Sequence, residues 1–73
     1  MTDDEFRVCL RAYSSRRPFR TFLIEFFSGE AIAVTHLEAV DRRGPVYYYR
    51  GPQGAQSVFP TSSVCRLLDP PTS

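Results

Sequence analysis

RPFRTFLIEFFSGEAIAV, residues Arg17–Val34, is the stretch whose reading decides the fold. Side chains alternate between the two faces of a strand, so Phe22, Ile24 and Phe26 share one face and Leu23, Glu25 and Phe27 the other. Ser28-Gly29 supplies a turn, Gly29 being free to take a positive φ. The returning strand carries Ile32 and Val34 on one face and Ala31, Ala33 and Thr35 on the other. A strand with one side in water alternates apolar and polar residues, yet five of the six residues from Phe22 to Phe27 are apolar. One apolar face lines a core. The second, formed by Leu23, Phe27, Ala31 and Ala33, needs a cover of its own. These four residues are the candidate oligomer interface, with an N-terminal helix and a neighbouring subunit sharing the task. Burying one exposed Phe is worth about 1.5–3 kcal/mol, a large share of the stability of so short a chain.

Upstream, Thr2-Asp3-Asp4-Glu5 has the form of a capping box, in which Thr2 accepts from the Glu5 amide and Glu5 reaches back. The acids also suit the positive end of a helix dipole. Phe6, Cys9, Leu10 and Tyr13 follow at helical spacing as one apolar stripe, and Pro18 prevents the helix from resuming after Ser14-Ser15. These signals predict a helix over 3–14. Downstream, Asp41-Arg42-Arg43-Gly44-Pro45 reads as a turn. Val46-Tyr47-Tyr48-Tyr49-Arg50 reads as a strand by its aromatic and β-branched content. Gly51-Pro52-Gln53-Gly54 is a hairpin loop, and Pro60-Thr61-Ser62-Ser63 is a break with one helical turn. The expected strands are 19–27, 30–36, 45–50, 56–59 and 64–68, and 70–73 is a disordered tail. A helix and then short strands on tight turns imply a mainly β chain, a small five-stranded SH3-like or Sm-like barrel with an N-terminal α-helix, as one domain over 1–69.

Length and composition set the outer limits. A chain of 73 residues buries only about 60% of its unfolded surface, so its core is marginal and self-association is a usual remedy. The formal net charge of +1 argues against a surface covered in nucleic-acid-binding charge. All nine basic residues counted as Lys or Arg are arginines, and six of them lie at Arg16-Arg17-Arg20, at Arg42-Arg43 and singly at Arg50. Cys9 and Cys65 are too few and too far apart for a metal knuckle or a disulfide framework. They read as small buried thiols in a reducing compartment, a single Cys9–Cys65 bridge being the alternative. The acidic start does not resemble a signal peptide, and no run approaches the roughly 20 apolar residues of a membrane span. The expectation is a cytoplasmic chain with no membrane, metal or cofactor.

Two resemblances add to this. The order helix, long strand, Gly turn, two strands, hairpin, strand, helical turn, strand is similar to that of Sm-like barrels. Within it, SVFPTSSVCRLL resembles the second Sm element, a strand broken by a turn and then the last strand. Val34 and His36-Leu37-Glu38 stand where the first Sm element carries a glycine and an Asp or Asn, so that family's nucleotide-contacting residues have no counterpart here. The chain also resembles a family of short uncharacterised bacterial proteins with the pattern PF-x-PF-x-I-x-x-x-x-G-x-x-x-x-V-x-H-P-E. It matches at Pro18-Phe19, Phe22, Ile24, Gly29, Val34, His36 and Glu38, and departs at Thr21 and Leu37, where prolines are common. That resemblance implies a fold over residues 17–68 and no activity. Its members place polar residues at the positions of Leu23 and Phe27, which sharpens the question of the second apolar face.

Catalytic constellations are absent from the pattern. His36, the one histidine, has Glu38 as its nearest partner; the pair reads as a structural turn, with the His36 side chain tying the strand end to the next segment. Ser62-Ser63 has no nucleophile-elbow context, and Gly51-Pro52-Gln53-Gly54 lacks the Lys and helix of a phosphate loop. The candidate ligand surface is Tyr47, Tyr49 and Arg50 with Arg42 and Arg43. Tyrosines on an exposed face beside arginines stack bases at about 1–3 kcal/mol each, but packing of the same pair under the helix or at a subunit contact is the favoured reading of the two. The reading is a non-catalytic, self-associating small-barrel binding module, not an enzyme, with Sm-like RNA binding in view. The alternative is a protein-interaction adaptor using the aromatic strand and an open sheet edge.

Overall fold

A computed structural model describes residues 1–71, in the order α1 (Asp3–Ser14), β1 (Phe22–Phe26), β2 (Ala31–Val34), β3 (Val40–Arg43), β4 (Val46–Arg50), β5 (Gln56–Phe59) and β6 (Val64–Leu68). Short 3-10 turns at Pro52–Gly54 and Thr61–Ser63 flank β5. Of the expected tail, Pro70 and Pro71 carry no regular structure, and Thr72 and Ser73 lie outside the described residues.

The helix begins where its cap dictates. Thr2 Oγ1 accepts the Glu5 N–H at 3.1 Å, and Glu5 Oε1 accepts the Thr2 N–H at 2.9 Å. Hydrogen bonds from the Thr2 backbone and side chain hold the Glu5 carboxyl below the usual carboxylate range. A group whose pKa is lowered on folding adds stability that is present above its unfolded value and lost as pH falls through its folded value. The Glu5 contribution is therefore complete above about pH 4.3 and disappears in more acidic solution. Glu5→Gln keeps the acceptor and removes the titration. Its melting temperature should fall less than that of the unaltered chain between about pH 5 and pH 3. Parallel curves would place the acid sensitivity in the other carboxylates.

The strands form two antiparallel three-stranded sheets, β2-β1-β6 and β3-β4-β5, instead of the single five-stranded barrel expected. The sixth strand is β3, in the segment read as a turn. Its pairing runs from Val40↔Tyr49 to Arg43↔Val46, and the reversal falls at Gly44, whose φ is +61°. Asp41, Arg42 and Arg43 are poor strand formers by composition; main-chain pairing with β4 overrides that preference. The expected strand 30–36 ends at Val34, and the chain turns through residues 35–39 before entering the second sheet.

Between the sheets lies one core. Phe22, Ile24 and Val34 come from the first sheet, Tyr47, Tyr49 and Phe59 from the second, and Val64 and Leu67 from β6. Phe6 is the one fully buried side chain of α1. Its ring meets Tyr47 edge-on at 4.7 Å and Phe59 at 5.9 Å, while Phe26 meets Phe59 at 5.1 Å, all geometries that aromatic quadrupoles favour. The sheets are also tied by a side chain, since Tyr49 Oη donates to the Ala33 carbonyl of β2 at 2.6 Å.

The helix does not cover the second apolar face of β1, contrary to expectation. It packs against β6 and the Thr61–Ser63 turn, the Met1 backbone nitrogen donating to the Val64 carbonyl at 2.9 Å and Tyr13 Oη to the Leu67 carbonyl at 3.3 Å. Cys9 is half-buried and Cys65 exposed, both as free thiols, so only one of the two sits near the core as expected. Cys65 faces out at the irregularity where β6 pairs with Glu25 and Phe26.

Candidate interaction edge

The expected oligomer patch is divided. Cross-strand partners share a face, so Ala33, Leu23 and Leu68 form one row and Ala31, Glu25 and Arg66 the next. Leu23 and Ala33 are half-buried and Ala31 exposed. In the middle of the second row, Arg66 Nε donates to Glu25 Oε1 at 2.7 Å, which raises the Arg66 pKa further. An ion pair thus interrupts the apolar face. Phe27 stands apart beyond the end of β1, 69% exposed.

The candidate stacking pair is in the core. Tyr47 and Tyr49 are 3% and 6% exposed, because the face they share points at Phe6 and at Ala33. Alternation leaves Tyr48 outside, 36% exposed, and Arg43 lies over its ring at 5.1 Å. Arg43 also pairs with Asp41 at 3.3 Å, and Arg42 with Asp3 of the helix at 3.5 Å. Five of the nine arginines have a carboxylate partner; Arg42 and Arg43 are both among them, and of Arg16-Arg17-Arg20 only Arg16 is. Arg50 is exposed and, among the described residues, makes no ion pair. It borders a shallow concavity of about 280 Å³ with His36 and Glu38. The turn after β2 is closed by backbone, the Ala39 N–H donating to the His36 carbonyl at 3.2 Å. The His36 ring, expected to make that tie, lies instead 3.4 Å from Thr35 Oγ1.

Sheet edges carry the most specific feature. Unpaired edge strands present free N–H and C=O groups, and folded chains blunt them by cover or charge. Two of the edges here are blunted, β6 and β3, and β2 is capped at one carbonyl. The helix donates to β6, Tyr49 Oη occupies the Ala33 carbonyl of β2, and β3 carries Asp41, Arg42 and Arg43. Strand β5, Gln56-Ser57-Val58-Phe59, carries no charge and, among the described residues, no cap on its outward main-chain groups.

Which groups β5 exposes is a matter of ladder parity. In an antiparallel pair, hydrogen-bonded and non-hydrogen-bonded residue pairs alternate. The Gly51 N–H donates to the Ala55 carbonyl at 2.7 Å, so Tyr49↔Ser57 and Tyr47↔Phe59 are the bonded pairs of the β4–β5 ladder, and Arg50↔Gln56 and Tyr48↔Val58 are not. Gln56 and Val58 therefore direct their N–H and C=O groups away from β4, toward solvent. Both flanks of this edge carry some apolar surface. Val58 is 51% exposed on the outer face beside Tyr48. On the inner side a cleft of about 350 Å³ runs from Phe27 to Ser57, Phe59 and Ser62.

The cleft offers hydrogen bonding and apolar contact without a catalytic set. Glu30 is the one ionisable residue in its lining, and Ser63 Oγ is committed to the Pro60 carbonyl at 2.7 Å. Among the described residues, no group of three or more His, Cys, Asp or Glu could hold a metal ion, and no helix is long and apolar enough to cross a membrane. Sequence reasoning missed Gln56 and Val58 as an edge, since their only local sign is an uncharged four-residue strand. No family model, curated protein or solved structure matches the chain.

Proposed function

We propose that this chain is a non-catalytic interaction module on a small SH3-like or Sm-like frame, and that it binds extended polypeptide by strand addition at β5. The observation that carries this reading is the outward parity of Gln56 and Val58 on an uncharged edge to which, among the described residues, no side chain or helix donates. Strand addition takes its affinity from main-chain hydrogen bonds and its selectivity from pockets for alternate side chains, and the Phe27–Phe59 cleft is such a pocket. The frame reading is supported by the order β2-β1-β6 and β3-β4-β5, with one connection turning between sheets at 35–39 and another at Thr61–Ser63. Adaptor binding is favoured over Sm-like RNA binding because the tyrosine pair that would stack bases is buried and Arg42 and Arg43 face carboxylates.

Selection of a displayed random-heptapeptide library on the immobilised chain tests the reading. Enriched peptides should alternate apolar residues and bind Val58→Pro about tenfold more weakly, since that change deletes one outward N–H. The Val58 N–H serves no β4 bond, so the domain's own ladder is left intact. Equal binding to both chains would overturn the proposal, as would binding of a uridine oligonucleotide that falls steeply with salt without peptide enrichment.

A further inference from the structure

The β5 edge is complementary to itself. Its outward groups sit on two residues, Gln56 and Val58, separated by Ser57, whose own N–H and C=O are engaged by Tyr49. Set a second β5 antiparallel to the first with the two-fold axis at Ser57. Gln56 then faces the partner's Val58, and Val58 faces the partner's Gln56, each as a bonded pair exchanging two hydrogen bonds. Every outward N–H and C=O of the two edges finds its complement in that register. A shift that centres the axis on Val58 would instead bring Gln56 opposite the partner's Pro60, which has no N–H to give.

We propose that the strand added at β5 is β5 of a second copy of this chain, paired about Ser57 into one continuous sheet with the order β3-β4-β5-β5-β4-β3. The assignment rests on the strand-addition reading and names its partner. Charge favours it, because β5 carries no ionised side chain, so the two-fold places no like charges opposite one another in the β5–β5 ladder itself. Glu30 lies off the strand, in the cleft lining. Apolar flanks favour it too. Val58 on the outer face lies beside the aliphatic stem of the partner's Gln56, and the two Phe27-lined clefts meet on the inner side across the axis. The extended sheet ends on both sides at β3, the strand already guarded by Asp41, Arg42 and Arg43. An isologous contact of this kind closes after two copies, so the product is a dimer and not a filament.

Light scattering and site-directed cross-linking test the assignment. The unaltered chain should elute with twice its 8.3 kDa mass at concentrations up to millimolar, and Val58→Pro should elute as a monomer with its far-ultraviolet circular dichroism unchanged. In a Cys9→Ala, Cys65→Ser background, mild oxidation should convert most of the Ser57→Cys chain to a covalent dimer. Opposed non-bonded residues lie about 4.5 Å apart at Cα, within disulfide range. Val58→Cys in the same background should cross-link at least tenfold more slowly, its sulfurs being diagonal neighbours about 7–8 Å apart at Cα. A monomeric unaltered chain that still loses displayed peptides on Val58→Pro overturns the second copy and leaves strand addition standing. A dimer that survives Val58→Pro, or one in which both cysteine variants cross-link at the same rate, overturns the register and the edge together.

Discussion

Phe6→Ala is expected to lower the stability of the chain by about 3–5 kcal/mol. Phe6 is 0% exposed and stands at the centre of the aromatic contacts that join α1 to β4 and β5, with ring centroids 4.7 Å from Tyr47 and 5.9 Å from Phe59. Removing a buried Phe costs about 3–5 kcal/mol, through lost transfer energy and the cavity left behind. At about 0.05–0.15 kcal/mol per residue, a chain of 73 residues has about 4–11 kcal/mol in all, so this one side chain carries from roughly a quarter to the whole of it. The loss also reaches the sheet edge. A detached helix withdraws Tyr13 from the Leu67 carbonyl and uncovers β6, and an uncovered edge promotes aggregation. Urea unfolding monitored by circular dichroism measures the effect. Val8→Ala is the control, since Val8 lies exposed on the other side of the same helix and should change stability by no more than about 0.5 kcal/mol. Midpoints for Phe6→Ala and Val8→Ala that coincide would show that the helix is not part of the core.

Gly51→Ala is expected to destabilise the chain by about 2–3 kcal/mol, through collision rather than backbone strain. Gly51 has φ −94° and ψ −178°, an extended conformation open to any residue. A Cβ placed there, however, lies 2.7 Å from Tyr49 Oη and 2.9 Å from its Cε2. Tyr49 cannot step aside freely, because its ring is buried and its hydroxyl holds the Ala33 carbonyl at 2.6 Å. The methyl must displace the ring, and displacing the ring breaks the tie between the sheets. For a domain of this size the loss lowers the melting temperature by on the order of 10–20 °C. Tyr49→Phe alone removes the hydrogen bond at a cost of about 1 kcal/mol. The double variant should cost less than the sum of the singles by more than about 0.5 kcal/mol, as expected of residues in contact. Strict additivity would place the Gly51 effect elsewhere.

These two positions differ in how far sequence alone reveals them. Phe6 is legible as the first member of a helical apolar stripe, because a cap and a 3.6-residue period are local properties. For the same reason Thr2-Asp3-Asp4-Glu5 marks the start of α1, and the alternation of Phe22 and Ile24 marks the buried face of β1. Gly51 reads as one more loop glycine. Its requirement comes from a ring two residues earlier folding over it, a matter of side-chain direction that composition does not carry.

Period and capping thus determined a helix over Asp3–Ser14, a hairpin about Gly29, and the separation of Tyr48 from Tyr47 and Tyr49. They could not determine which side of β4 was the inside. That was decided by where Phe6, Phe59 and Ala33 lie in three dimensions, and it chose, of the two readings of the tyrosine pair, packing under the helix over an exposed stacking surface. The fate of the second apolar face was likewise tertiary, since Glu25 finds Arg66 only across 41 positions of chain. Strand β3 exists because β4 pairs with it, although its own residues are charged. The open edge is the clearest case. Gln56 and Val58 face solvent because the β4–β5 ladder assigns the bonded partners by parity, while the helix covers β6, charge guards β3 and a hydroxyl caps one carbonyl of β2. A local pattern specifies how a segment folds; only the assembled sheet specifies which of its hydrogen bonds are left over.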